Sequence, residues 1–169
     1  MKEPNCDCGF AAPRVGSLGM RGSILVADDD PIYASFLRSA IARTMPTTPI
    51  IHVEDGEEVI RILSSETQLG EQKSNLAPGV LLLDLQMPKK NGLEVLEWIK
   101  TQPSLQTLPV IVISNTEGGA SVDRAYELGA KGCLAKPCGR SGLQQLAEVL
   151  KVWLNSPGPP ELRAKLNFL

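Results

Sequence analysis

The chain of 169 residues contains a single histidine, His52, which leaves no imidazole pair for a metal site or a proton relay. His52 lies in a short apolar run and reads as a strand residue rather than a ligand or a catalytic base. No run of lysines or arginines occurs, and the formal net charge is −2. Phosphate backbones are bound by clustered Lys and Arg, so DNA is not an expected direct partner. No apolar stretch reaches the length needed to cross a bilayer, and the N-terminal segment lacks the apolar core of a signal peptide. These absences predict a cytoplasmic protein with no membrane partner. Cysteine is sparse as well, limited to Cys6, Cys8, Cys133 and Cys138. Cys6 and Cys8 resemble half of a metal site, but no second Cys or His pair stands nearby to complete a tetrahedral shell, so reduced thiols on a solvated arm are expected.

What is present is apolar substance for one core. Hydrophobic residues make up 43% of the chain, enough for one domain of ordinary size with tails. Residues 1–22 hold glycines, prolines and small residues without a hydrophobic period and read as a flexible arm. Residues 23–155 carry alternating strand and helix signals, and residues 156–169 form a tail opening on a Pro-rich stop. Leu162, Leu166 and Leu169 in that tail could pack on the body or against a second copy.

Val80-Leu81-Leu82-Leu83 is too short for a helix and is bounded by Pro78-Gly79 and Pro88, which predicts a strand buried on both faces. Ile24-Leu25-Val26-Ala27, Ile50-Ile51-His52-Val53, Val110-Ile111-Val112-Ile113 and Gly132-Cys133-Leu134-Ala135 read as four more. Pro31 suits a first helical turn, with Asp30 as its cap, and Ile32, Phe36, Ala40 and Ile41 are expected on the buried face. Further helices are expected with Val59, Ile62 and Leu63, then with Leu93, Leu96 and Ile99, then with Val122, Ala125 and Leu128 facing inward. Asn91 and Glu94 have capping-box spacing, Gly129 suits a left-handed helix end, and Ser141 to Gln144 suggests a second capping box opening the last helix. Residues 64–79 are polar and rich in breakers, which predicts a long loop. Five strands alternating with five helices specify an α/β fold, a doubly wound five-stranded parallel sheet of flavodoxin-like order.

In such a sheet ligands collect at the carboxyl ends of the strands. Those ends carry Asp28, Asp29, Asp84, Ser114 and Lys136. Asp30 is occupied as a cap, which leaves Asp28 and Asp29 without a local task. Asp84 alone could equally cap a turn; with the other acids it forms a cluster. Three carboxylates in one crevice raise one another's pKa and call for a cation. Lys136 supplies one positive charge, and hard carboxylate oxygens suit Mg²⁺.

Val26-Ala27-Asp28-Asp29, Leu83-Asp84-Leu85-Gln86-Met87-Pro88 with Gly92, Ile113-Ser114-Asn115 and Ala135-Lys136-Pro137 together resemble the four signatures of response-regulator receiver domains. The resemblance covers roughly Ser23 to Asn155. It implies a single-domain response regulator in which Asp84 accepts a phosphoryl group from a histidine kinase. Asp29, Asp84 and the backbone carbonyl of Gln86 would hold Mg²⁺, with Asp28 assisting through water. Ser114 and Lys136 would bind the phosphoryl oxygens, and Lys136-Pro137 would be a cis peptide. Lys89-Lys90 and the long loop are more particularly similar to regulators paired with phytochrome-type kinases. A downstream phosphotransfer protein and a second copy of the chain are further candidate partners. Cys133 departs from the family, which usually carries a switching aromatic there, so the readout is expected to rely on the Ser114 loop and the last two elements. Gln86 and Thr116 are expected to set the phosphoryl lifetime. Two other readings compete: a receiver-like scaffold that binds partners constitutively, and a haloacid-dehalogenase-like phosphatase. The latter wants a second acid two residues after its nucleophile, where this chain has Gln86.

Overall fold

The computed structural model describes residues 22–67, 78–115 and 119–155. Among them the chain alternates β1 (Ile24–Ala27), α1 (Pro31–Thr44), β2 (Ile50–Val53), α2 (Gly56–Thr67), β3 (Val80–Asp84), α3 (Gly92–Thr101), β4 (Val110–Ser114), α4 (Ala120–Glu127), β5 (Gly132–Ala135) and α5 (Gly139–Asn155). All strands pair in parallel, in the order β2-β1-β3-β4-β5. The fold is therefore the flavodoxin-like doubly wound sheet. Because β1 neighbours β3, the connections leaving those two strands run to opposite faces and open a crevice at their carboxyl ends.

The period of two along each strand divides the core in half. Leu25, Ala27, Leu81, Leu83, Val110 and Val112 pack with Val59 and Leu63 of α2, Val95, Leu96 and Ile99 of α3 and Ala125 of α4. Ile24, Val26, Val80, Leu82, Ile111, Ile113 and Leu134 pack on the other face with Leu37 and Ile41 of α1 and Leu143, Leu146, Leu150 and Trp153 of α5. Burial of each such side chain contributes roughly 1.5–3 kcal/mol, which is why strands of four or five residues suffice when both faces are covered.

Local signals fix several boundaries. Asp30 accepts hydrogen bonds from the N–H groups of Ile32 and Tyr33, with Pro31 in the first turn of α1. Asn91 and Glu94 form a reciprocal capping box on α3. Gly129 takes φ +105° just after α4, a conformation that side-chain-bearing residues rarely adopt.

Four expectations need correction. The buried face of α1 is Ala34, Leu37, Ala40 and Ile41, whereas Ile32 and Phe36 are 68% and 61% exposed. Both sets have helical spacing, and only the sheet decides which one it covers. The helix α5 begins at Gly139, which puts Ser141 inside its first turn instead of at its cap. Helix α2 runs on to Thr67, past the expected loop start at Ser64. Every peptide bond among the described residues is trans, Lys136–Pro137 included; trans is the lower state of an X–Pro bond by about 0.5–1 kcal/mol, and it already lets Lys136 reach the crevice. The predicted arm with Cys6 and Cys8, most of the long loop, Thr116 and the C-terminal tail lie outside the described residues.

Candidate functional site

Strand alternation, followed to the last strand residue or one step past it, explains which side chains meet. Asp28 continues the parity of Ile24 and Val26, Asp84 that of Val80 and Leu82, and Lys136 that of Leu134, all toward the α1–α5 face. Ser114 instead continues the parity of Val110 and Val112, toward the other face.

The first three side chains converge. Lys136 Nζ donates to Asp28 Oδ1 at 3.0 Å and lies 2.9 Å from Asp28 Oδ2 and 2.7 Å from Asp84 Oδ2. Side-chain exposure is 0% for Asp28, 3% for Asp84 and 9% for Lys136, so solvent screens these charges little. Asp29 is exposed at the mouth of the crevice and completes an acidic cluster: one carboxylate oxygen from each of Asp28, Asp29 and Asp84 lies within 4.8 Å of the others. Three carboxylates against one ammonium leave about two negative charges when all are ionised. Burial pushes the Asp28 carboxyl above its usual range, against the opposing pull of Lys136 and of the Asp30 N–H. Burial also lowers the Lys136 ammonium, but its hydrogen bonds to Asp84 and Asp28 more than reverse this, and it is held above the ordinary lysine value.

The donor set fits a hard divalent cation. All its side-chain donors are carboxylate oxygens, and the single Lys136 ammonium is shared among Asp28 Oδ1, Asp28 Oδ2 and Asp84 Oδ2. The backbone around the acids is equally fixed. Asp30 N–H donates to Asp28 Oδ1 and Gln86 N–H to Asp84 Oδ1, each at 3.0 Å. A methyl group at Gly92 would lie 2.3 Å from the Asp84 carbonyl oxygen, so only glycine lets α3 start this close to β3. Ser114 is buried at the end of β4, and its carbonyl accepts the Lys136 N–H at 2.8 Å.

A family model described as the response regulator receiver domain matches residues 24–148. The chain belongs to the response regulator receiver family. The probable methanogenesis regulatory protein FilR2 of Methanothrix harundinacea is 31% identical over 140 residues, covering 80% of this chain and 88% of that protein. Response regulator Rcp1 of Synechocystis is 28% identical over 134 residues, covering 79% of this chain and 89% of Rcp1. The structure of Rcp1 in its Mn²⁺-bound form superimposes with a TM-score of 0.67 at 26% identity, over 82% of this chain and 99% of Rcp1. The phosphorylated cyanobacterial phytochrome response regulator RcpA gives 0.69 at 28% identity, over 82% of this chain and 98% of RcpA. In this receiver no helix among the described residues is long and apolar enough to cross a membrane.

Three contacts in the receiver, at its acidic crevice and away from it, had no signal in the sequence. His52 Nε2 lies 2.9 Å from the Asp28 carbonyl oxygen, so the strand histidine braces the acidic turn without joining the cluster. Asp55 caps α2 by accepting the Glu58 N–H at 2.8 Å and also pairs with Lys89, which has φ +61° in the loop after β3. The Tyr126 hydroxyl accepts the Cys133 N–H at 3.1 Å, and burial pushes the half-buried Cys133 thiol up to about 11. All three depend on loop paths or helix rotations; only the pairing register of His52, opposite Val26, follows from strand pattern.

Proposed function

We propose that this receiver accepts a phosphoryl group on Asp84 from the phosphohistidine of a histidine kinase, in an Mg²⁺-dependent step, and signals through the resulting surface change. The observation that carries the reading is the excess of buried carboxylate over ammonium at the carboxyl ends of β1 and β3. Asp28, Asp29, Asp84 and the Gln86 carbonyl would hold Mg²⁺, which when bound supplies positive charge to the phosphoryl oxygens. An Asp84 carboxylate oxygen forms the bond to phosphorus as the P–N bond breaks, and the imidazole leaves with the electron pair. The Gln86 N–H and Lys136 keep the Asp84 carboxylate from rotating away, which serves a reaction whose main demands are positioning and charge. Lys136 moves with the transferred charge, exchanging a carboxylate oxygen for a phosphoryl oxygen.

Ser114 then turns its hydroxyl toward the phosphoryl group, drawing in the segment after β4. Since Cys133 is too small to sweep between buried and exposed positions, the change is read through that segment and the α4 side of β5, where Tyr126 meets Cys133. The protein acts as a phosphoacceptor in the cytoplasm and not as an enzyme on external substrates; only its own phosphorylation and hydrolysis are catalysed. Likeness to RcpA, a phytochrome response regulator, favours a phytochrome-type kinase as donor. A downstream phosphotransfer protein and a second copy of the chain are the partners to test next.

Reductive trapping tests the assignment. Borohydride treatment of the phosphorylated protein is expected to convert residue 84 alone to homoserine, as an acyl phosphate requires. Reduction at another carboxylate, or none, would remove Asp84 from this role.

A further inference from the structure

Lys136 has a third neighbour besides Asp28 and Asp84. Its Nζ stands 5.0 Å from the centroid of the Tyr33 ring, within the range of a cation–π contact. We infer that Tyr33 is a positioning residue for Lys136, its ring holding the ammonium over the crevice when the carboxylates turn to a metal ion and a phosphoryl group. The inference rests on the proposed role of Lys136 in phosphoryl transfer.

Several observations fix the ring in that place. Tyr33 is in the first turn of α1, where its N–H donates to Asp30 Oδ1 at 3.1 Å, and Asp30 N–H in turn donates to Asp28 Oδ1. The same turn therefore places an acid on one side of the ammonium and a ring on another. Tyr33 is half-buried against the α1–α5 core. Its hydroxyl is buried without a hydrogen bond to any described residue, so what Lys136 meets is the aromatic ring and not a polar handle. Tyr33 and Lys136 both line a cavity of about 650 Å³ between α1 and α5, so the lysine has open space beside it as well as the ring. A lysine stem has four rotatable carbons and loses its hold once two carboxylates are engaged elsewhere. The ring is then the remaining neighbour that holds the ammonium in place.

The test is the rate of phosphorylation by acetyl phosphate in saturating Mg²⁺. Tyr33→Leu is expected to slow it about five- to tenfold, the scale of a partly desolvated cation–π contact, while Tyr33→Phe, which keeps the ring, restores it to within about twofold. In a Lys136→Ala background Tyr33→Leu should add less than about twofold, since two groups acting as one unit are not additive. Equal slowing by Tyr33→Leu with and without Lys136 would overturn the inference, as would an unchanged rate in Tyr33→Leu alone. Should Tyr33→Leu fail to fold, the wild-type proton spectrum decides. The ε-methylene protons of Lys136 should be displaced from those of other lysines by the ring current, and an undisplaced resonance would overturn the inference. If wild type accepts no phosphoryl group, the role of Asp84 fails, and the same resonance still reports whether the ring holds the lysine.

Discussion

Lys136 Nζ lies 2.7 Å from Asp84 Oδ2, and neither side chain is more than 9% exposed. Breaking a buried ion pair by removing one partner costs about 3–5 kcal/mol, because the other charge is left uncompensated. Lys136→Met should therefore destabilise the protein by about that much in chelator. Mg²⁺ should return a larger share of the loss than it adds to wild type. Thermal unfolding with and without Mg²⁺ checks this, and equal Mg²⁺ shifts in both proteins would contradict it.

Asp28 makes the opposite case. Burial raises its carboxyl above the ordinary value of 3.8, so the fold disfavours its charge. For a carboxyl raised in the folded state, this component favours the fold below the unfolded pKa and is lost as pH rises through the folded pKa. In chelator, Asp28→Asn should thus be more stable than wild type at neutral pH, and the advantage should shrink on acidification toward pH 4. The stabilisation by Mg²⁺ should fall in the same variant. Unfolding midpoints over that pH range are the measurement, and an advantage that grows with acid would refute the account.

The framework and the acids were legible in the sequence because both follow from period. Runs such as Val80-Leu81-Leu82-Leu83, too short for a helix and bounded by Pro and Gly, read as strands covered on two faces, and such strands end where Asp28, Asp84 and Lys136 stand. The rotation of α1 was not legible. Ile32 and Phe36 compete with Ala34 and Leu37 for a place beside Ala40 and Ile41, and only contact with the sheet chooses between them. Tyr33 was missed for the same reason, since its ring reaches Lys136 only when α1 is turned that way. The Asp55–Lys89 pair depends on a positive φ at Lys89, which a side-chain-bearing residue rarely takes and no local signal announces.

Gly92 offers a test of close approach. A Cβ there would meet the Asp84 carbonyl oxygen at 2.3 Å, and backbone cannot yield as a side-chain tip would. Gly92→Ala should cost about 1–3 kcal/mol, the usual scale of overpacking. It should also slow phosphorylation, because relief must come from moving β3 or α3 at Asp84. Urea unfolding combined with the acetyl phosphate rate checks both halves; a stable variant with a normal rate would show that the loop has slack.

Asp55 and Lys89 set a pH signature away from the crevice. The Lys89 hydrogen bond holds the Asp55 carboxyl below its ordinary 3.8, and Asp55 holds Lys89 above its ordinary 10.5. The depressed acid contributes stability that is present above its unfolded pKa and lost as pH falls through the folded value. The raised lysine contributes stability that is present below its unfolded pKa and lost as pH rises through the folded one. Asp55→Asn, whose side-chain oxygen can still cap α2, should narrow the stability difference from wild type below about pH 4 and above about pH 10. Chemical denaturation at acid, neutral and alkaline pH is the check, and a difference constant across that range would remove the pair from the account.

The central claim is that Asp84 is the phosphoacceptor in a cation-dependent site. Intact mass measurement after incubation with acetyl phosphate and Mg²⁺ tests it most directly. The account predicts a gain of one phosphoryl group in wild type, abolished by chelator and by Asp84→Asn. An unmodified wild-type mass, or an adduct that persists in Asp84→Asn, would contradict it.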